Sequence, residues 1–462
     1  MNNSLDWLNR LQNKKNELDK ISPTICAAKW LQVTLHLQNG LTHSCHHPAP
    51  HKVPLKELEN NPDALHNTKH KITQRQLMIQ GQRPAECEHC WIAEDSSPSS
   101  FSDRVIKSSD DWSQVDFENI YQQKNPSPTY LEVSFSNVCN LKCIYCSPDV
   151  SSAIWSEFER YGGYPIPGSP DLNWYKENQR EPYKNESDNP YIKSFDEWFP
   201  KIFNNLKVLR ITGGEPLLSE RTMKTIHFIG EKGNGKLKFD INSNLMVSRK
   251  SLNNYVKELD GLLVNDKIRE VRFYTSVDTH GEQANWIRFG LNYDKLIENI
   301  DFILSSSENI KLTIISTFNI FSFPNFTSLL KDVIQLKKKH IKTIEPEPRL
   351  MIDITFIRQP NFLSPNIAPY YLKSFVKNSL NLMSECSETD ERIWGFNSYE
   401  INKMQRLVDM VLTEPSLEFN QEINNIKKNL GIFIKEYDRR KRLNVKKIFP
   451  EMVPFLNEII PL

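Results

Sequence analysis

Six short β-rich runs, each followed by a helical stretch, constrain this chain more than any other feature of it. They are TYLEVSFS (129–136), KVLRIT (207–212), KLKFDIN (236–242), EVRFYTSV (270–277), KLTIISTF (311–318) and LMIDITFI (350–357). Strands that alternate with helices pair in parallel, since a parallel neighbour needs a crossover and not a hairpin. Such βα units curl into a full or partial barrel and place their chemistry at the C-terminal ends of the strands. The expected fold is α/β: a partial (β/α)6 TIM-like barrel over 129–365, a small N-terminal α+β domain over 20–112, and C-terminal helices over 366–462.

The flanking segments carry less pattern. Residues 30–37 alternate apolar and polar and are followed by Asn39-Gly40, which predicts a hairpin. Residues 55–82 read as helix broken by Pro62 and closed by Gly81, and 96–128, rich in Ser, Asp, Gln and Pro, read as a linker. Residues 162–189 interrupt the βα pattern as a lid or a tolerated surface loop. No internal repeat is visible. Lys plus Arg (58) nearly balances Asp plus Glu (57), so no global field draws nucleic acid or an anionic membrane. No stretch is apolar enough for a signal peptide or a membrane span, and the expected compartment is the cytoplasm.

Eight cysteines in such a compartment point to metal or redox work. Cys139, Cys143 and Cys146 follow the first barrel strand on one tight loop. Three thiolates leave one iron of a cubane cluster without a protein ligand, open to an external one. A structural zinc would need a fourth ligand from a distant residue such as His36 or His43. Earlier in the chain, Cys26 and Cys45 flank the predicted hairpin, and Cys87-x-x-Cys90 follows Pro84. Four thiolates suit either a closed 4Fe-4S cluster or a tetrahedral zinc, and sequence leaves both open. Histidines 43, 46, 47, 51 and 89 crowd the same region and read as solvated loop residues, and Cys386 as a small buried apolar residue.

The motif Cys139-x-x-x-Cys143-x-Tyr145-Cys146 resembles the signature of the radical S-adenosylmethionine (SAM) superfamily, with Tyr145 in its aromatic position. Gly213-Gly214-Glu215-Pro216, at the end of the second barrel strand, is similar to the family segment that holds the SAM amino group. Its glycines permit close backbone approach, and its Glu supplies a carboxylate for an ammonium. The resemblance further implies SAM contacts from Asn244, from Ser276 and Asp278, from Arg288 toward the carboxylate, and from Asn319. For Asn244, Asp278 and Asn319, turn or capping chemistry is an equal alternative. Cys26, Gly40, Cys45, Cys87 and Cys90 resemble the auxiliary-cluster module called Twitch, a shortened SPASM, placed before the barrel. That resemblance spans nearly the whole chain.

The family implies reductive cleavage of SAM to a 5'-deoxyadenosyl radical, hydrogen abstraction from a small molecule, sugar or peptide, and a second cluster that relays an electron. It also implies a reducing partner such as flavodoxin or ferredoxin. No separate peptide-recognition domain is visible before Cys26, which argues against a leader-bearing peptide. The rival expectation is a zinc-stabilised binding or regulatory protein on a degenerate barrel. The basic run 435–447 reads as a solvated helix face.

Overall fold

The computed structural model describes residues 2–96, 101–341, 348–413 and 417–460. Eleven strands run through them: β1 (Gln32–His36), β2 (Leu41–His43), β3 (His51–Lys52), β4 (Tyr130–Ser134), β5 (Lys142–Cys143), β6 (Val208–Thr212), β7 (Lys238–Asn242), β8 (Glu270–Ser276), β9 (Arg288–Phe289), β10 (Lys311–Phe318) and β11 (Leu350–Phe356). All six expected barrel strands are present, with ends shifted by at most two residues at each end. The chain divides into two compact units: 1–137, 179–213 and 233–240 form the first, and 138–178, 214–232 and 241–462 the second. Strand β7 carries the chain from one to the other.

In the first unit β4 pairs in parallel with β6 on one side and with β1 on the other, and β1 turns into antiparallel β2 and β3. The predicted hairpin therefore exists, and it also extends the sheet of β4, with Gln32 opposite Tyr130 and His36 opposite Ser134. Gly40 makes the turn at φ +67°, and a Cβ there would fall 2.1 Å from the Tyr191 ring, so both conformation and space demand glycine. Trp30, Leu31, Trp91 and Trp112 gather in an apolar cluster that includes Cys26, Cys87 and Cys90.

One sequence expectation for this unit needs revision. The segment 96–128 is folded and not a linker, apart from 97–100, which lie outside the described residues. It forms helices Asp103–Ser108 and Phe117–Ile120, with Arg104, Val105 and Trp112 buried. Arg104 holds it in place by donating to Glu94 (2.8 Å) and to the Ile25 carbonyl (3.0 Å). Charge pairing, which leaves no apolar periodicity, does what a hydrophobic stripe does elsewhere. The helix Lys69–Ile79 also buries its cationic side: Lys71 and Arg75 are 1% and 3% exposed. Lys71 Nζ donates to Thr42 Oγ1 (2.7 Å) and Arg75 Nη1 to Asn67 Oδ1 (2.7 Å), so the polar groups are matched within the interior.

The second unit contains parallel β8, β10 and β11, with Leu312 opposite both Phe273 and Leu350. Leu312, Ile314 and Phe318 are fully buried, as expected of a strand covered on both faces. Strands β5 and β9 form a separate antiparallel pair. Beyond β11 the chain is helical, with long helices at Lys373–Glu385, Ser398–Leu412 and Leu417–Lys441. Glu400 ties this region to the strands. It closes a capping box with Asn397 and accepts from the Ile352 amide (2.9 Å) and from Lys337 Nζ (2.7 Å). Trp286 sits fully buried between Phe321 and Tyr437, at 4.5 and 4.9 Å between ring centres. Among the described residues no helix is long and apolar enough to cross a membrane.

Candidate cofactor sites

The loop carrying Cys139, Cys143 and Cys146 is pinned along its length. Lys142 and Cys143 pair with Phe289 and Arg288, and the Ile144 amide donates to Ile287 O (2.9 Å). The Cys139 amide donates to Ser152 Oγ (3.1 Å), and Ser151 Oγ donates to Leu141 O (3.1 Å). All three thiols are half-buried. Burial pushes Cys139 up to about 11 and Cys146 higher still, and for each a neighbouring thiol adds to the effect. Three thiolates this close repel one another unless positive charge sits among them. Among the described residues no three His, Cys, Asp or Glu side chains are arranged to hold a single metal ion. The all-sulfur donor set is that of iron–sulfur ligation.

Around this loop a buried charge network appears that the motif did not announce. Arg288 donates to Asp278 through Nε (2.9 Å) and Nη2 (3.3 Å), to Cys143 Sγ through Nη1 (3.6 Å), and to the Tyr145 hydroxyl. Four of its five N–H donors are thus engaged inside the protein. Asp278, fully buried, also accepts from the Tyr145 hydroxyl (2.9 Å) and the Thr317 amide (2.8 Å). Burial works against the Arg288 charge, but the Asp278 carboxylate, Tyr145 and Cys143 together hold its pKa well above the ordinary value. The aromatic position of the motif therefore carries a hydroxyl that locks the loop to the end of β8.

The glycine–glutamate turn is equally constrained. Gly213 lies at φ +116°, and a Cβ there would fall 2.3 Å from Ser134 Oγ. Glu215, 2% exposed, donates its amide to Val138 O (2.7 Å). Its carboxylate accepts from Ser243 Oγ (2.7 Å), the Asn244 amide (2.6 Å) and the Leu217 amide (3.0 Å). Burial raises it to about 7 against the lowering effect of those three donors. Pro216 opens the short 3-10 turn that Glu215 caps. Asn244 Nδ2 donates to Asn140 Oδ1 (2.8 Å) and lies 4.0 Å from Cys139 Sγ, so the end of β7 reaches the cysteine loop. Ser276 ends β8. Asn319 is fully buried, and its amide closes a turn with Phe321 and Thr317.

The four N-terminal cysteines line one cavity in the first unit. Burial raises Cys26, and raises Cys87 and Cys90 to about 12, with repulsion from Cys45 contributing to all three. Lys29, 3% exposed and ion-paired with Glu86, belongs to the same cavity wall, as does Arg104. Burial opposes the Lys29 charge, but Cys87 and Glu86 outweigh it and raise its pKa. Neither cation stood out in sequence; the only signal was a lysine inside the apolar run AAKWL. Of the crowded histidines only His43 is buried: its Nε2 lies 3.2 Å from His36 Nε2 and burial lowers it to about 3, whereas His46 and His89 are exposed, as expected of loop residues.

No family model matches the chain, and no curated protein matches it. Solved structures that align with it include SuiB of Streptococcus suis bound to S-adenosylmethionine, at 14% identity over 77% of this chain and 69% of that one, TM-score 0.35. SuiB bound to its precursor peptide SuiA aligns at 14% identity over 82% and 74%, TM-score 0.34. Superpositions this loose establish neither family nor activity.

Proposed function

We propose that this chain is a radical SAM enzyme, with Cys139, Cys143 and Cys146 as the three ligands of a 4Fe-4S cluster. The observation that carries the reading is the way the three thiols are held. They share one loop, locked by β5–β9 and by Arg288, beside a buried carboxylate on a glycine-flanked turn. When bound, the cluster and SAM supply reductive cleavage to methionine and a 5'-deoxyadenosyl radical that takes hydrogen from the substrate.

The rest follows from this chain's own groups. The Cys143 sulfur accepts an N–H from Arg288, and such bonds help set an iron–sulfur potential. Glu215 supplies the carboxylate for the SAM ammonium and must trade one of its present donors for it. Asn244 and Ser276 stand at strand ends suited to ribose contacts. Gly213 lets the chain pass close to Ser134. The six strands are read as the partial barrel, and Cys26, Cys45, Cys87 and Cys90 as a Twitch-type auxiliary 4Fe-4S site that relays an electron. A flavodoxin or ferredoxin in the cytoplasm would be the donor.

The test is anaerobic reconstitution with iron and sulfide, then dithionite and SAM, with 5'-deoxyadenosine followed by mass spectrometry. Wild type forms it and Cys139→Ala does not. Equal product from the variant overturns the reading.

A further inference from the structure

The second unit encloses a cavity of about 360 Å³, and one stretch of its wall is the cysteine loop from Cys143 to Pro148. That volume lies at the small end of ligand pockets. Rings supply much of the remainder. Tyr164 packs on Phe433 at 4.8 Å and on Phe158 at 6.0 Å, and Phe433 continues to Phe362 at 5.3 Å and Tyr437 at 5.4 Å. Tyr164, Ile166 and Tyr175 of the 162–178 insertion line it. This part of the insertion therefore builds a pocket, whereas Trp155 and Trp174 are not on its wall and each packs on Tyr175.

The charge on this wall is already spent. Its two charged residues, Lys142 and Glu157, pair with each other at 3.2 Å. Glu157 also binds Lys441 and accepts from the Tyr164 hydroxyl (3.2 Å). A charged guest would lose its hydration and meet no wall charge that is not already paired. A ring would join an existing aromatic array and gain ring–ring contact beyond its buried area. The cavity does not suit the amino-acid part of SAM either: Glu215, Asn244, Ser276 and Asp278 are absent from its wall.

We infer that this cavity is the substrate pocket and that it selects a neutral aromatic ring, presented next to Cys143 and Cys146. The significance of that adjacency rests on the function proposed above; the binding preference does not. A free phenol or a tyrosine side chain on a peptide would offer the same chemistry.

The full-length protein is titrated with 4-methylphenol, N-acetyl-tyrosinamide, N-acetyl-lysinamide and N-acetyl-aspartic acid amide, and binding is read by saturation-transfer NMR. Both ring probes should bind at least about tenfold more tightly than both charged ones. A tenfold advantage of the tyrosinamide over the phenol would mark a peptide substrate, and equal affinity a small molecule. Ile166→Trp fills the cavity and should weaken ring binding at least tenfold. Should that variant misfold, hydrogen exchange on wild type decides: the ring probe should protect 154–175 and 429–438 specifically. Charged probes binding as well as rings, Ile166→Trp leaving ring binding unchanged, or protection elsewhere would overturn the inference. Ring binding without deoxyadenosine formation would remove the proposed function and leave the pocket. Deoxyadenosine formation without ring binding would remove the pocket alone.

Discussion

The two cysteine sites differ in how they treat water. Cys26, Cys87 and Cys90 lie among tryptophans and leucines, and four thiols line their cavity. Cys139, Cys143 and Cys146 are half-buried and three in number; Cys143 joins a charge network, and Cys143 and Cys146 border a cavity. On the function proposed above, the first site would hold a closed four-thiolate cluster and the second a cluster with one iron open to an external ligand. The surroundings also differ in kind: the first site is framed by Lys29 and Arg104, each paired with acids, and the second by one arginine bonded directly to the Cys143 sulfur.

The sharpest way to break that comparison is to remove one ligand from each site. Cys143→Ala should abolish deoxyadenosine formation and lower the iron content from about eight to about four per chain, whereas Cys87→Ala should lose iron yet still cleave SAM. If Cys87→Ala changes zinc and not iron on elemental analysis, the first site is a zinc site and the electron-relay role falls. Asp278→Asn comes next, because it leaves Arg288 buried without its counter-charge. A loss of about 3–5 kcal/mol is expected in thermal or denaturant unfolding, and an unchanged midpoint would show that the network does not hold the loop.

Glu215 gives a finer test through pH. Its carboxyl, raised to about 7 by burial, contributes stability at low pH that is lost as pH rises through that value. An ammonium ligand needs the ionised form, so SAM affinity should climb about tenfold between pH 6 and pH 8. Glu215→Gln should bind weakly and without pH dependence by calorimetry. The smallest effect belongs to Tyr145→Phe, which removes the hydrogen bond donated to Asp278 and the one accepted from Arg288. About 1–3 kcal/mol of stability should go with them, since the acceptor is charged, and the cluster's electron paramagnetic resonance signal should broaden as the loop loosens.

What the sequence disclosed was what local pattern can carry. The Asn39-Gly40 turn and the six β runs each lie within a dozen residues, and each is found where expected. Long-range pairings carried no such signal. Nothing near residue 32 indicates that β1 will lie along β4 a hundred residues on, and nothing near Arg288 shows that its fork is committed to Asp278 and Cys143. The segment 103–120 misled because its burial is achieved by arginine–carboxylate pairs, which look like surface composition. The helix 69–79 was legible as a helix, but nothing local showed that Lys71 and Arg75 turn inward onto Thr42 and Asn67.

The seating of the hairpin turn under Tyr191 sets an order of events during synthesis. The Tyr191 hydroxyl binds Val53 O across 138 positions, and Asn189 binds Leu37 O across 152. About 150 further residues must therefore be made after the hairpin before it can settle, and contacts this distant form slowly. Until then the segment that carries Cys26 and Cys45 lacks its final packing.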